Sequence, residues 1–237
     1  MRRRIRGLVF DKDGTLFDFR QSWSSWMRLV LTTLSGGDRT LAETTGIALG
    51  FDLASGEFLP GGSFVAGTPE STLDILCRSF PDLDVAEILE VLRMATDETP
   101  QVEAAALKPL IGGLAAGYTL GLATNDHLST ARQHLADAGI VQHFAFLAGS
   151  DSGYPAKPEP DMLLAFCNCT GIAPEQSAMI GDSPEDLNAG RAAGMITIGV
   201  LTGAAPRRRL DPLADAILDD VGTLPGWLQD FHRPAAG

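Results

Sequence analysis

The chain has 237 residues, of which 45% are hydrophobic and 20% are charged, and its formal net charge is −12. An acidic surface repels phosphate backbones, which argues against nucleic acid as the main partner. No segment approaches the roughly 20 apolar residues of a membrane span, so we expect no membrane association. The cysteines lack zinc-like spacing, and we interpret them as small buried apolar residues of a cytoplasmic protein. They are Cys77, Cys167 and Cys169.

The amino-terminal part is predicted to begin with one strand and to continue as helices. Short apolar residues form the strand, and apolar side chains then recur at three- and four-residue steps, which is typical of helices. A stretch rich in Gly, Pro and Ser is predicted to be a long loop. The predicted elements are a strand at 6–10, helices at 19–34, 39–49, 69–80 and 84–95, and a loop at 50–68.

After Pro109 the pattern changes to alternating strands and helices. This rhythm predicts an α/β fold, with a doubly wound, Rossmann-like parallel sheet and helices on both of its faces. The helical stretch becomes a smaller cap domain inserted after the first strand, so we predict a core of residues 1–17 and 103–237 and a cap of residues 18–102. The predicted strands are 118–123, 144–148, 177–180, 195–200 and 216–218, and the helices 128–138, 161–170 and 185–193.

Four short segments carry the chemistry of the core, and three of them directly follow predicted strands. Carboxyl ends of parallel strands meet at one sheet edge, where open α/β sheets bind ligands. Acids, a hydroxyl and a lysine at that edge predict a site for Mg²⁺ and a phosphoryl group. The segments are Asp11-Lys12-Asp13-Gly14-Thr15, Thr124-Asn125-Asp126, Lys157-Pro158 and Gly181-Asp182-Ser183-Pro184-Glu185-Asp186.

Each segment also has a purely structural explanation when it is taken alone. Asp-Gly is a common turn, Asp182 or Thr124 could cap a helix, and a loop lysine is usually solvated. Asp11 and Asp13 should face the same side of an extended backbone, and Lys12 the other side, with no assigned role. We favour a shared site because all four segments are expected at the same edge of one sheet.

In this order the four segments resemble the motifs of the haloacid dehalogenase superfamily, in the branch with a helical cap after the first strand. The resemblance covers essentially the whole chain. Residues 10–18 and 181–194 are most similar to phosphoglycolate phosphatase-like members. The carboxylate at Asp13 favours phosphate over halide chemistry, since dehalogenases of this superfamily lack it.

The resemblance implies a role for each site residue. Asp11 would be the nucleophile that forms an aspartyl-phosphate, and Asp13 would protonate the leaving alcohol and later accept a proton from water. Mg²⁺ would be held by Asp11, Asp182 and the backbone carbonyl of Asp13. From behind these ligands, Asp186 would orient waters on the metal. Thr124, Asn125 and Lys157 would bind the phosphoryl group.

The substrate is predicted to be a small phosphorylated metabolite, possibly phosphoglycolate, and the cap should select it. Arg20 could reach a substrate carboxylate, and the glycine-rich loop 56–68 could close over the crevice. A sugar phosphomutase remains an alternative because it uses the same core residues. A phospho-accepting signalling switch is an alternative of another class, although the order of the motifs and the large cap argue against it. The oligomeric state is left open.

Overall fold

A computed structural model of the chain describes residues 4–59, 61–99 and 101–233, without the side chains of residues 66 and 97. Residues 1–3, 60, 100 and 234–237, which belong to the predicted core, loop and cap, lie outside the described residues. The chain divides into two compact units, Met1–Phe17 with Glu103–Gly237, and Asp18–Val102. We call them the core and the helical unit.

The helices and strands are named here in chain order. They are β1 (Gly7–Phe10), α1 (Phe19–Leu34), α2 (Arg39–Leu49), β2 (Phe51–Asp52), β3 (Glu57–Phe58), α3 (Ser63–Ala66), α4 (Pro69–Ser79), α5 (Val85–Glu98), α6 (Leu107–Ala115), β4 (Thr119–Ala123), α7 (Leu128–Asp137), β5 (Phe144–Ala148), α8 (Asp161–Thr170), β6 (Ser177–Gly181), α9 (Pro184–Ala193), β7 (Ile196–Val200), α10 (Arg207–Leu210), β8 (Ala216–Leu218) and α11 (Leu224–His232).

The core contains a six-stranded sheet in the order β5-β4-β1-β6-β7-β8, and all of its strand pairs are parallel. This arrangement confirms the predicted α/β class with a doubly wound sheet. The chain adds β4 and β5 on one side of β1 and then β6, β7 and β8 on the other. The strand order therefore reverses at β1, and ligands of open α/β sheets bind beside such a reversal.

Both faces of the sheet are buried, which explains why its central strands are continuous apolar runs. Leu8 and Phe10 of β1 join the apolar cluster on one face, and Val9 joins the cluster on the other. Every residue of β1, β6 and β7 is buried. The sheet is therefore a rigid base for residues that follow its strands.

Phe166 of α8 packs against positions where the sheet has no side chains. A Cβ on Gly7 would lie 2.9 Å from its ring, and a Cβ on Gly121 would lie 2.5 Å from it. The ring is fully buried, and it also meets Phe146 edge to face, with ring centres 6.1 Å apart. The two strand glycines thus make room for one large aromatic side chain.

The helical unit is held together by its own apolar core and capped helices. Asp84 and Glu87 form a capping box at the start of α5, and Asp18 caps α1 by accepting from the N–H of Gln21. Phe19 and Phe58 pack edge to face, with ring centres 4.8 Å apart. The interior of this unit combines aromatic side chains such as these with buried aliphatic ones such as Leu31 and Leu76.

The structure corrects the sequence prediction in two regions. Residues 50–68 were expected to be loop, but they contain the short hairpin of β2 and β3 and the single helical turn α3. Helices α6 and α11 were not predicted, whereas the basic run 207–209 was expected to start a helix and lies in α10. Short strands and one-turn helices have too few residues to reveal a regular spacing of apolar side chains. Helix α6 contains Pro and Gly, which are typical of loops.

The cysteine prediction was also partly wrong. Cys167 is buried as expected, whereas Cys77 is half-buried and Cys169 is exposed; all three are free thiols. Positions two apart on a helix face different directions, so α8 cannot bury Cys167 and Cys169 against the same neighbour. Within the described residues, no helix is long and apolar enough to cross a membrane.

Truncating Phe166 should destabilise the core strongly. We expect Phe166→Ala to lower the free energy of unfolding by about 3–5 kcal/mol, because the cavity would lie directly over two glycines that cannot fill it. Urea unfolding followed by circular dichroism measures this loss. Leu164→Ala is the control, since Leu164 is 37% exposed on the same helix. Equal losses in both variants would contradict this account of the packing.

Candidate active site

The site lies at the carboxyl edge of the sheet because of the strand register. Phe10, the last residue of β1, pairs with Leu122 of β4 and Ile180 of β6. Asp11 therefore leaves the sheet between the two neighbouring strands, and its N–H donates to the carbonyl oxygen of Ile180 at 2.9 Å. Asp182 leaves β6 just beyond, so register alone brings the two acids to one place.

Lys157 is the cation of this site, and its ammonium group is almost fully buried. Its Nζ donates to Asp11 Oδ1 at 2.6 Å, to Asp186 Oδ1 at 2.6 Å and to the carbonyl oxygen of Ala123 at 2.8 Å. Asn125 fixes the backbone of Lys157: its Oδ1 accepts from the lysine N–H at 2.9 Å and its Nδ2 donates to the lysine carbonyl at 3.1 Å. Both the backbone and the ammonium group of this loop lysine are therefore fixed by hydrogen bonds.

Asp186 is positioned by the start of α9. Its Oδ2 accepts hydrogen bonds from the N–H of Ser183 at 3.1 Å and from the Ser183 hydroxyl at 2.7 Å. The Ser183 hydroxyl in turn accepts from the N–H of Asp186, which completes a capping box. The capping box leaves Oδ1 of Asp186 directed at Lys157.

The carboxylates outnumber the positive charge that the protein supplies. Burial raises the pKa of Asp11 to about 7, and the acids Asp186 and Asp13 add to this effect while Lys157 opposes it. Burial, followed by repulsion from Asp186 and Asp11, raises the pKa of Asp182 well above its usual value. Burial alone would lower the pKa of Lys157, but the attraction of Asp11 and Asp186 outweighs it and raises that pKa.

These acids have the chemistry of a divalent-cation site. One carboxylate oxygen of each of Asp11, Asp182 and Asp186 lies within 4.8 Å of the others, and all three residues are buried. Buried carboxylates that repel one another favour a cation between them, and Mg²⁺ prefers oxygen ligands. Within the described residues, these three acids and Lys157 carry a net charge of −2 when ionised, which a divalent ion would neutralise. The residues therefore fit the predicted metal.

Two glycines make room for the Asp182 carboxylate. A Cβ on either Gly14 or Gly203 would overlap it, and Gly14 also has a φ of +85°. The loop of Gly203 is fastened to the loop of Gly14, since the Thr202 hydroxyl donates to the Gly14 carbonyl oxygen at 2.6 Å. Backbone thus approaches the carboxylate from both sides, where a side chain would displace it.

The roles predicted for Thr124, Asn125 and Arg20 stay predictions, and the structure shows the contacts that these residues make. Thr124 is buried, and its hydroxyl accepts from the N–H of Asp126 at 3.1 Å. Asn125, for which we predicted substrate binding, uses both ends of its side-chain amide to bind the Lys157 backbone. Arg20 belongs to the helical unit, where it pairs with Glu57, so a substrate carboxylate would have to compete with this acid.

Asp13 lies next to Lys12 and close enough to Asp11 to influence its charge. Its carboxylate binds the Lys12 ammonium, at 2.8 Å and 2.9 Å. After burial, and together with Asp186, the charge of Asp13 helps to raise the pKa of Asp11. The group of described carboxylates that fits a metal includes Asp186 and not the side chain of Asp13. The metal ligand expected from Asp13 is its backbone carbonyl, and this stays a prediction.

Sequence reasoning missed several residues that shape the site. Ser183 carries a recognisable signal, because Ser-x-x-Asp before an apolar run predicts a capping box. Thr202 and Gly203 follow strand β7, so the rule that led to Asp182 could have found them as well. His134 lies inside helix α7 and carries no signal at all in the sequence.

A family model of haloacid dehalogenase-like hydrolases matches residues 5–194, which is most of the chain. The chain belongs to this family. A phosphoglycolate phosphatase from Salmonella typhi is 30% identical over 211 residues, which cover 84% of this chain and 82% of the relative. The family and this relative together identify the chain as a phosphatase, as the sequence predicted.

Solved structures show the same fold at lower identity. A predicted phosphoglycolate phosphatase from Haemophilus somnus superposes with a TM-score of 0.69 at 22% identity, covering 94% of this chain and 97% of the other. A putative β-phosphoglucomutase from Thermotoga maritima superposes with a TM-score of 0.73 at 17% identity, covering 95% and 99%. At such identities the similarity extends to the haloacid dehalogenase fold and not to the substrate.

The raised pKa values predict how Mg²⁺ stabilises the protein at different pH. A carboxyl group whose folded pKa lies above its unfolded value, about 3.9, stabilises at low pH, and this stability is lost as pH rises through the folded pKa. For Asp11 that folded pKa is about 7. Mg²⁺ binds the ionised groups, so it should raise the melting temperature more at about pH 7.5 than at about pH 5.

Differential scanning calorimetry with and without Mg²⁺ measures this difference. Asp182→Asn should remove most of the pH-dependent gain, because it deletes one ligand charge and relieves the repulsion. Asp82→Asn, at an exposed acid of the helical unit, should leave the gain unchanged. An equal rise in melting temperature at both pH values would contradict the assignment of a metal to these acids.

Proposed function

We propose that this phosphatase hydrolyses a small phosphate monoester with Mg²⁺, through an aspartyl-phosphate on Asp11. The observation that carries the proposal is the convergence of Asp11, Asp182 and Asp186, two of which, Asp11 and Asp186, also bind the ammonium of Lys157. A nucleophile, a cation and a metal-binding set in one buried group are the parts that phosphoryl transfer requires.

In the first half of the reaction, the Asp11 carboxylate attacks phosphorus and the bond to the alcohol oxygen breaks. The Lys157 ammonium fixes the orientation of this carboxylate through Oδ1. Asp13 gives a proton to the departing alkoxide, so the leaving group departs as a neutral alcohol. In the second half, water attacks the same phosphorus, its proton passes to Asp13, and the Asp11 carboxylate is released with inorganic phosphate.

The negative charge of the transition state is spread over three phosphoryl oxygens, and Lys157 and Thr124 are the proposed donors to it. Lys157 is already charged and fixed, so it needs no reorganisation during the reaction. Thr124 directly follows Ala123, the last residue of β4, whose carbonyl oxygen accepts from Lys157; in this proposal the Thr124 hydroxyl donates to a phosphoryl oxygen. When bound, Mg²⁺ would supply Lewis-acid stabilisation of that charge and keep Asp11 ionised.

Phosphoglycolate is the substrate that the relatives favour, since a 30% identical relative is a phosphoglycolate phosphatase. This substrate carries a carboxylate besides its phosphate, and Arg20 of the helical unit is a candidate partner for it. A sugar phosphomutase has support only from the fold, through neighbours such as the Thermotoga maritima protein. A signalling switch does not agree with membership of a hydrolase family.

Removing the nucleophile should abolish turnover without unfolding the core. We expect Asp11→Asn to lower kcat by at least about 10³-fold, because an amide cannot form the aspartyl-phosphate. The test is release of phosphate from p-nitrophenyl phosphate and from phosphoglycolate with Mg²⁺. Chelation with EDTA should stop both reactions, and added Mg²⁺ should restore them.

Asp211→Asn is the matched control, because Asp211 is an exposed acid of the core. It should retain the activity of the unchanged chain. Turnover that survives in Asp11→Asn, or that persists in EDTA, would refute the nucleophile or the metal respectively. Conversion of a hexose phosphate to its isomer without phosphate release would support the phosphomutase instead.

A further inference from the structure

A second buried ionic group lies beside the metal-binding acids, and its centre is Lys12. The side chain of Lys12 is fully buried. Its Nζ lies 2.8 Å and 2.9 Å from the two carboxylate oxygens of Asp13, 3.1 Å from Asp126 Oδ2 and 3.0 Å from His134 Nδ1. The proposed function leaves Lys12, Asp126 and His134 without a role.

The direction of the contact with His134 follows from the chemistry of its partner. An ammonium group has only donors, so Nδ1 of His134 must accept and carries no proton. Burial and then the positive charge of Lys12 lower the pKa of His134 to about 4, which agrees with a neutral ring at neutral pH. His134 is therefore a neutral acceptor whose position on α7 holds the ammonium from the helix side.

The ammonium of Lys12 joins three separate parts of the core. Asp13 belongs to the loop after β1, Asp126 to the loop after β4, and His134 to the helix that follows. A buried lysine is costly unless its charge is matched, and here the carboxylates supply that match. Burial alone would lower the pKa of Lys12, yet attraction to Asp13 and Asp126 raises it, so the group stays charged.

The carboxylate of Asp13 contacts the Lys12 ammonium through both of its oxygens. It is 17% exposed, and both of its oxygens contact one fixed cation. A carboxylate that transfers protons in two successive steps has to present its oxygen at a constant place. A rotating Asp13 would lose part of this effect, and the contacts of both its oxygens with the buried ammonium restrain such rotation.

We propose that Lys12 is a positioning residue for Asp13, and that Asp126 and His134 hold the Lys12 ammonium in place for this purpose. The inference rests on the proposed function, because it assumes that Asp13 protonates the leaving group. Lys12 itself touches no reacting atom in this proposal. Its effect passes through the orientation of the Asp13 carboxylate, so it should grow with the leaving group's need for a proton.

A series of aryl phosphates tests this dependence, from phenyl phosphate to 2,4-dinitrophenyl phosphate. Dinitrophenolate leaves without protonation, whereas phenolate needs an acid. The value of kcat/KM reports the steps up to the aspartyl-phosphate, in which Asp13 acts as an acid. In Lys12→Met, which keeps the unbranched stem, we expect kcat/KM to fall about 10- to 100-fold for phenyl phosphate and no more than about threefold for the dinitrophenyl ester.

Three further variants complete the design. Asp13→Asn removes the acid itself, so it gives the steepest dependence of kcat/KM on the leaving group that loss of this acid can produce. Lys108→Met, at an exposed lysine of the core, should leave the dependence as it is in the unchanged chain. Lys12→Met/Asp126→Asn removes one carboxylate together with the ammonium, so it provides a charge-balanced version if the single variant unfolds.

A steeper dependence on leaving group in either Lys12 variant supports the proposal. Equal falls for all esters, or no fall for phenyl phosphate, would overturn it, as would failure of both variants to fold. Failure of the proposed function has a different signature: the unchanged chain would then release no phosphate from any ester of the series with Mg²⁺. The two failures are therefore distinguishable in one set of measurements.

Discussion

The Lys157 ammonium, bonded at 2.6 Å to both Asp11 and Asp186, is the interaction on which the site depends. Without it, three buried carboxylates would face one another with no positive charge from the protein. With it, the group still holds more negative than positive charge, which raises the pKa of Asp11 and Asp182 and favours a divalent cation. The electrostatic repulsion between the ionised carboxylates is thus the physical basis of metal binding.

Local hydrogen bonds and two glycines keep this charged group in place. A capping box at the start of α9 directs Asp186, and the amide of Asn125 clamps the backbone of Lys157. Gly14 and Gly203 leave space for the Asp182 carboxylate. The sheet beneath is buried on both faces, so the residues that follow its strands begin from fixed positions. The site is preorganised because its supports are rigid before any ligand arrives.

A large part of the fold could be predicted from the sequence, because the spacing of apolar residues and the positions of Gly and Pro are local signals. The strands of the core and the helices at 19–34 and 39–49 were predicted within a few residues of their bounds. The hairpin of β2 and β3 and the helix α6 could not be found, since they are too short or too rich in Gly and Pro. At the site, the strand-end rule led to Asp11 and Asp182, and it would have led to Gly203 had it been applied to β7.

The sequence by itself determined the class of the fold, the family and the residue types of the site, since those follow from alternation, motif order and spacing. Only the tertiary structure decided which group each side chain binds. The carboxylate of Asp13 binds the Lys12 ammonium, and the side-chain amide of Asn125 binds the backbone of Lys157. Lys12 and His134 are 122 positions apart in the chain. They meet because a buried ammonium requires acceptors. No local sequence pattern predicts which distant residue will be that acceptor.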